Sequence, residues 1–107
     1  MKLILAIVSN DDSSDVSRAL NRERYQVTRL ATTGGFLSQG NTTLIIGCDD
    51  DKVAKAIEII GNESKKRTEV VPSTASYDVS GMISFPVEVT VGGATIFVLN
   101  VDQFVKL

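Results

Sequence analysis

Two short apolar runs, Leu3 to Val8 and Leu44 to Cys48, define the plan of this chain. Both faces of the period-two strand pattern are apolar in each run, which is typical of strands that lie in the middle of a sheet and are covered on both sides. A polar cluster and an amphipathic helical pattern follow each run. We therefore expect an α+β domain in which these two strands are central.

The first helix is predicted to begin in the polar segment Asn10 to Asp15 and to run to about Arg24. Asp12 or Ser13 is the expected N-cap, because a short side-chain oxygen can accept a hydrogen bond from a free N–H of the first turn. The stripe of this helix that should face the sheet is Val16, Ala19 and Leu20.

The second helix is predicted after Asp49-Asp50-Asp51 and is expected to end at Gly61. Carboxylates are favourable at the positive end of a helix, so we interpret the three aspartates as the start of the helix. A calcium loop is the alternative, but it alternates its ligands and needs a distant Glu at a defined spacing. The buried stripe of the second helix is predicted to be Val53, Ala56, Ile57 and Ile60.

The remaining strands complete a ferredoxin-like βαββαβ sandwich with an additional C-terminal hairpin strand. The predicted elements are a mixed strand Tyr25 to Thr32, a short strand Thr68 to Val71, an alternating strand Pro86 to Val91, a last strand Ala94 to Asn100 and a tail Val101 to Leu107 that forms a helical turn. Gly92-Gly93 predicts a tight hairpin between the last two strands. Both helices should cover one sheet face and leave the other apolar, so we expect a closed oligomer.

Composition indicates one domain over residues 1–107 and excludes several classes of function. A net charge of −2 disfavours nucleic acid and anionic membranes as partners. With Cys48 as the single cysteine and no histidine, neither an internal disulfide nor a Cys/His zinc site is possible, and the customary general base of an enzyme is missing. We interpret Cys48 as a buried small hydrophobe. No apolar run is long enough to span a bilayer, so a cytoplasmic location is expected.

A glycine-rich stretch, Thr32 to Leu37 followed by Gly40 to Thr43, has the composition of a binding loop. Glycines bring backbone N–H groups close to a ligand, and the Asn and Thr side chains add uncharged hydrogen-bonding groups. A polar connection with nothing bound remains the alternative. The long segment Ser73 to Ser84 is a second candidate, because a connection of that length is commonly functional.

The chain resembles the PII-like family of cyclic di-AMP receptors over essentially its whole length. The resemblance rests on Leu30-Ala31-Thr32-Thr33-Gly34-Gly35-Phe36-Leu37, Gly40-Asn41-Thr42-Thr43, Pro86-Val87-Glu88-Val89 and Val91-Gly92-Gly93-Ala94-Thr95-Ile96-Phe97-Val98. It implies a non-enzymatic signal transduction protein that forms a homotrimer and binds cyclic di-AMP in the clefts between subunits. It also implies that the glycine loop and residues 72–85 respond to the ligand and that a downstream protein partner reads the change.

Carried over by position, the resemblance implies distinct roles around the ligand. Thr28 and the backbone of Val27 would face phosphate, Gly35, Phe36 and Leu37 would form a wall against adenine, and Asn41 with the backbone of Gly47 would read the base edge. Phe97 would line the cleft. The full set of predicted ligand-binding residues is Gln26, Val27, Thr28, Gly35, Phe36, Leu37, Asn41, Gly47, Phe97 and Lys106.

Gln26 departs from the family pattern, which often has arginine there. Glutamine can donate a hydrogen bond to phosphate but carries no charge. We hypothesise that Lys106 or Arg29 partly replaces that arginine. The alternative is a PII-like sensor that has lost cyclic di-AMP binding or binds another nucleotide such as ATP.

Overall fold

The structure is a computed structural model that describes residues 1–30, 40–72 and 86–107, with the backbone alone at 71, 72, 86 and 87. The glycine loop predicted to carry Gly35, Phe36 and Leu37 lies outside the described residues, as does the segment Ser73 to Ser84. The described elements are β1 (Lys2–Ser9), α1 (Asn10–Arg22), β2 (Val27–Leu30), β3 (Asn41–Cys48), a 3₁₀ turn (Asp50–Lys52), α2 (Val53–Glu63), β4 (Arg67–Pro72), β5 (Pro86–Val91) and β6 (Ala94–Asn100).

The main sheet is antiparallel and has the strand order β2-β3-β1-β6. The two apolar runs identified in the sequence are β1 and β3, and they occupy its centre as predicted. Their pairing places Ile4 opposite Ile46 and Ala6 opposite Leu44. This order is consistent with the ferredoxin-like plan.

Helices α1 and α2 cover one face of this sheet and close the core. The fully buried residues of this core include Ile4, Ala6, Leu44 and Ile46 from the strands, Val16 and Leu20 from α1, and Ala56 and Ile60 from α2. Removing a large aliphatic side chain of this kind from water contributes about 1.5–3 kcal/mol. The predicted stripes of both helices are therefore largely confirmed, except that Ile57 is exposed.

Helix boundaries differ from the sequence predictions at both helices. The N-cap of α1 is Ser9, whose Oγ accepts a hydrogen bond from the backbone N–H of Asp11 at 3.1 Å, so the predicted caps Asp12 and Ser13 are wrong. Helix α2 continues through Gly61 to Glu63. Ser64 then donates its hydroxyl to the carbonyl of Ile60 at 2.5 Å, which satisfies a carbonyl of the last turn.

The second sheet is a ribbon of β4 and β5, and it corrects the predicted hairpin. Strand β5 pairs with β4, whereas β6 pairs with β1 in the main sheet. The predicted additional C-terminal hairpin strand is therefore wrong: Ala94–Asn100 is the edge strand of the ferredoxin-like sheet. Gly92 and Gly93, with φ of 87° and 82°, allow the chain to turn from one sheet to the other.

The base of the ribbon is held against the core by polar contacts. Arg67 makes two hydrogen bonds to the buried carboxylate of Asp12, Nη2 to Oδ1 at 2.9 Å and Nη1 to Oδ2 at 3.3 Å. The backbone N–H of Gly93 donates to the carbonyl of Ser64. Asp12, the third residue of α1, thus joins the first turn of this helix to the ribbon.

The first turn of α1 is also joined to the start of β3. The N–H of Asn10 donates to the carbonyl of Gly40 at 2.7 Å, and the hydroxyl of Thr42 donates to the Asn10 side chain. The start of β3 is therefore held directly against this helix.

The sheet face opposite the helices is apolar. The partly buried Leu3, Leu5, Ile7 and Ile45 lie on it together with the exposed Leu30, Phe97 and Leu99, as the strand registers show. This confirms that the helices cover only one face. The tail Val101 to Leu107, predicted to form a helical turn, has no regular secondary structure and is largely exposed.

We predict opposite effects of alanine at two glycines. At Gly92 an added Cβ would overlap the carbonyl oxygen of Lys65 and the positive φ would be strained, so Gly92→Ala should destabilise the protein by about 2 kcal/mol or more. Gly61 lies within α2 with open space around it, so Gly61→Ala is the control and should stabilise by up to about 1 kcal/mol. Urea unfolding measures both, and equal free energies of unfolding for the two variants would contradict this account.

Candidate functional site

A cavity of about 270 Å³ lies at the edge of the sheet where β2 begins and β3 ends. It brings together two residues of the predicted site, Gln26 and Gly47, which are 21 positions apart in the sequence. The lining residues are Met1, Arg24, Tyr25, Gln26, Gly47, Cys48, Asp49 and Lys52. We call this the edge cavity.

Gly47 leaves open space at the edge cavity, although the packing of the fold does not require a glycine at this position. A Cβ added there would meet only the terminal methyl of Met1, at 3.2 Å, and a methionine side chain can move aside. The β2–β3 ladder ends at the pair Val27 and Ile46, so Gly47 lies just beyond it, beside Gln26. A ligand or a second chain can therefore approach the backbone closely at this point.

The floor of the edge cavity is formed by the buried Tyr25 and Cys48. Tyr25 donates its hydroxyl to the carbonyl of Lys52 at 2.7 Å, which fixes the start of the second helical segment against β2. Burial raises the pKa of the Tyr25 hydroxyl. Burial, and then the neighbouring Asp49 carboxylate, raises the pKa of the Cys48 thiol, so both groups stay neutral at physiological pH. Cys48 is buried, as its sequence context predicted.

The carboxylates after β3 take part in the start of α2 and in one terminal contact. Asp50 and Asp51 lie in the first turn of the 3₁₀ segment, in agreement with the interpretation of this run as a helix start. Asp50 accepts the amino terminus of Met1 at 2.9 Å, and this hydrogen bond lowers the pKa of Asp50. Asp49 is the N-cap residue but makes no side-chain capping hydrogen bond.

Thr28 and Phe97 lie on the apolar face but at opposite edges of the sheet. The strand registers place Thr28 beside Ile45, Ile45 beside Leu5, and Leu5 beside Phe97. Three strand spacings separate the ends of this row, which corresponds to about 14 Å. One chain therefore does not bring Thr28 and Phe97 to a common small site.

Asn41 is also distant from the edge cavity. It begins β3, six residues before Gly47, or about 20 Å along the strand. There it borders a second depression, of about 280 Å³, whose lining is Ile7, Ser9, Asn41, Lys66, Gly92, Gly93, Ala94 and Thr95.

The remaining predicted residues differ in their exposure. Val27 is half-buried and packs against the core on the helix side, so its backbone, rather than its side chain, is available at the edge. Lys106 is exposed in the tail. Arg29 lies on the helix side of β2 and donates to Ser13 Oγ at 3.2 Å, which disfavours the hypothesis that it replaces the missing arginine on the face that carries Thr28.

Sequence reasoning missed Arg24 and Lys52, the two side-chain cations of the edge cavity. Arg24 is only two residues before Gln26, and this proximity could have suggested that it lies near the site. The bend between α1 and β2, which brings Arg24 to the cavity, was not predicted. Lys52 is brought to the same cavity by the 3₁₀ turn.

The chemistry that this arrangement supports is ligand binding. The edge cavity offers cations, an uncharged amide and an accessible backbone, and its thiol and phenol are buried and neutral. Within residues 1–30, 40–72 and 86–107, no cluster of three or more His, Cys, Asp or Glu residues could hold a metal ion. Among the same residues, no helix is long and apolar enough to cross a membrane.

Comparison with known proteins identifies the family. The sequence model of the cyclic-di-AMP receptor family matches residues 1–107. The chain belongs to this family. Its resemblance to cyclic di-AMP receptors is thereby confirmed, and the family is one of ligand receptors.

A solved structure supports the fold over the same length. The crystal structure of a functionally unknown protein from Pediococcus pentosaceus is 39% identical in sequence, with a TM-score of 0.76. The match covers 99% of this receptor-family chain and 96% of the Pediococcus protein. The two proteins therefore share the fold.

We predict that Cys48 reacts slowly with thiol reagents in the folded protein. It is 8% exposed and its raised pKa reduces the fraction of thiolate, the reactive form. Ellman's reagent at pH 8 should modify the native protein about tenfold or more slowly than the protein unfolded in guanidinium. Equal rates in the two states would show that the thiol is accessible.

Proposed function

We propose that this protein is a cyclic di-AMP receptor, a non-enzymatic PII-like signal transduction protein that binds its ligand between the subunits of a homotrimer. The single observation that carries the proposal is the family match over the whole chain. The proposed ligand is a second messenger rather than a cofactor, and the proposed location is the cytoplasm.

The distribution of the implied site residues supports a site between subunits. Gln26, Thr28 and Gly47 lie at the β2–β3 edge, whereas Phe97 lies on β6 at the other edge of the same face. A second copy packed on this face can bring its β6 edge to the β2–β3 edge of the first. The ligand site would then be completed by residues that one chain keeps apart.

The exposed apolar face supports the oligomer itself. Leu30, Phe97 and Leu99 are 45%, 52% and 46% exposed in the isolated chain. Apolar surface of this kind, continuous across four strands, is typical of a protein interface. A closed ring of three copies would cover it in every subunit.

The residue types suit the two parts of a cyclic adenine dinucleotide. Phe36, Leu37 and Phe97 would pack against adenine, and the amide of Asn41 and the backbone near Gly35 and Gly47 would hydrogen-bond adenine edges. Because Asn41 and Gly47 are about 20 Å apart along β3 of one chain, these two would contact different adenines. Thr28, Gln26 and the backbone of Val27 would hydrogen-bond the phosphates, with Lys106 approaching from the tail. Ligand binding would change the conformation of the glycine loop and of residues 72–85, and a downstream protein would recognise that change.

A receptor that has lost cyclic di-AMP binding, or that binds another nucleotide such as ATP, is the alternative raised by Gln26. The family match favours cyclic di-AMP.

The proposal is tested by calorimetric titration of the purified protein with cyclic di-AMP, cyclic di-GMP and ATP. We expect one cyclic di-AMP per subunit and no comparable binding of the other two. Thr28→Val removes the hydroxyl proposed to meet phosphate at nearly constant volume, so it should weaken affinity about five- to tenfold. Thr90→Val, on the exposed face of the ribbon, is the matched control and should bind normally. Failure of cyclic di-AMP to bind would refute the proposed function.

We predict that a charge on the apolar face prevents trimer formation. Leu30→Glu should shift the protein from three times the chain mass of 11.5 kDa toward a monomer, because the interface would bury an unpaired carboxylate. Val70→Glu, a similar change at an exposed residue of the ribbon, should leave the trimer intact. Light scattering coupled to size exclusion measures the mass, and a wild-type monomer would contradict the proposed assembly.

A further inference from the structure

The structure places Arg24 in the same cavity as the uncharged Gln26. Arg24 and Gln26 line the edge cavity together with Gly47. Two hydrogen bonds hold the backbone at Arg24, whose φ is 69°. The N–H of Arg24 donates to the carbonyl of Asn21 at 3.0 Å, and the N–H of Tyr25 donates to the carbonyl of Leu20 at 3.0 Å. The side chain therefore leaves the bend from a defined position at the cavity.

The positive charge of Arg24 is not neutralised within the described part of the chain. Neither Arg24 nor Lys52 forms a salt bridge with the residues at 1–30, 40–72 and 86–107. The other cation of the lining, the amino terminus of Met1, is paired with Asp50. Asp49 is the one carboxylate among the lining residues, so the two free side chains outnumber it.

We propose that Arg24 supplies the cationic contact to a phosphodiester of the bound ligand in place of the neutral Gln26, with Lys52 adding to the local positive potential. This inference rests on the proposed function. The guanidinium group can donate two parallel hydrogen bonds to one phosphate, which Gln26 cannot do and which a lysine does less well.

The positions of three other basic residues support the choice of Arg24. Arg29 is directed to the helix side of the sheet, where it contacts Ser13. Lys66 borders the second depression at the opposite end of β3, and Lys55 is paired with Glu23 at 3.0 Å. Arg24 is the arginine that shares a cavity with Gln26 and Gly47.

The test is the affinity for cyclic di-AMP of Arg24→Gln, measured by calorimetry at low and high salt. Loss of one charge-assisted contact should weaken binding about tenfold to a hundredfold at low salt and should reduce its salt dependence. Arg18→Gln removes the same charge from the exposed surface of α1 and should bind like the wild type. Circular dichroism and urea unfolding check that both variants fold.

A second variant separates charge from structure. Adding Gln26→Arg to Arg24→Gln moves the cation by two residues within the same cavity and should recover most of the affinity. Unchanged binding by Arg24→Gln, or no recovery in the double variant, would overturn the role of Arg24 while leaving the proposed function intact. Absence of cyclic di-AMP binding by the wild-type protein would overturn both.

Discussion

The structure depends on the burial of β1 and β3. Their side chains are apolar on both faces of the sheet, but the two helices cover only one of these faces. On the helix side, Ile4 and Leu44 meet α1 and α2 and are fully buried. On the other side, Leu5 and Ile45 remain only partly covered, and Phe97 is half exposed. The uncovered hydrophobic surface favours association of subunits. Residues of the proposed ligand site lie on this same face.

Local sequence signals were sufficient for the centre of the fold but not for the pairing of its last strands. Apolar residues on both faces identified β1 and β3, and the helical stripes identified the core side of α1 and α2. Gly92-Gly93 indicates a sharp turn, but two glycines are equally compatible with a hairpin within one sheet and with a connection between two sheets. The choice is made by long-range contacts, namely β4 with β5 and β1 with β6, which local periodicity does not encode.

The candidate site shows the same limit. The family resemblance predicts Gln26 and Gly47 as ligand-binding residues, and the structure brings them to one cavity. The sequence did not predict that Arg24 lines this cavity, because Arg24 lies in a bend with a φ of 69°, and such a left-handed residue is usually glycine or asparagine. Asp12 was assigned to capping for a similar reason: its partner, Arg67, is 55 residues away.

Hydrogen bonds of the first turn of α1 attach two strands, β3 and β4, to the same helix end. Asn10 contacts Gly40 and Thr42 at the start of β3, and Asp12 contacts Arg67 at the start of β4. A substitution in this one turn would therefore weaken both attachments, although neither Asn10 nor Asp12 belongs to the hydrophobic core.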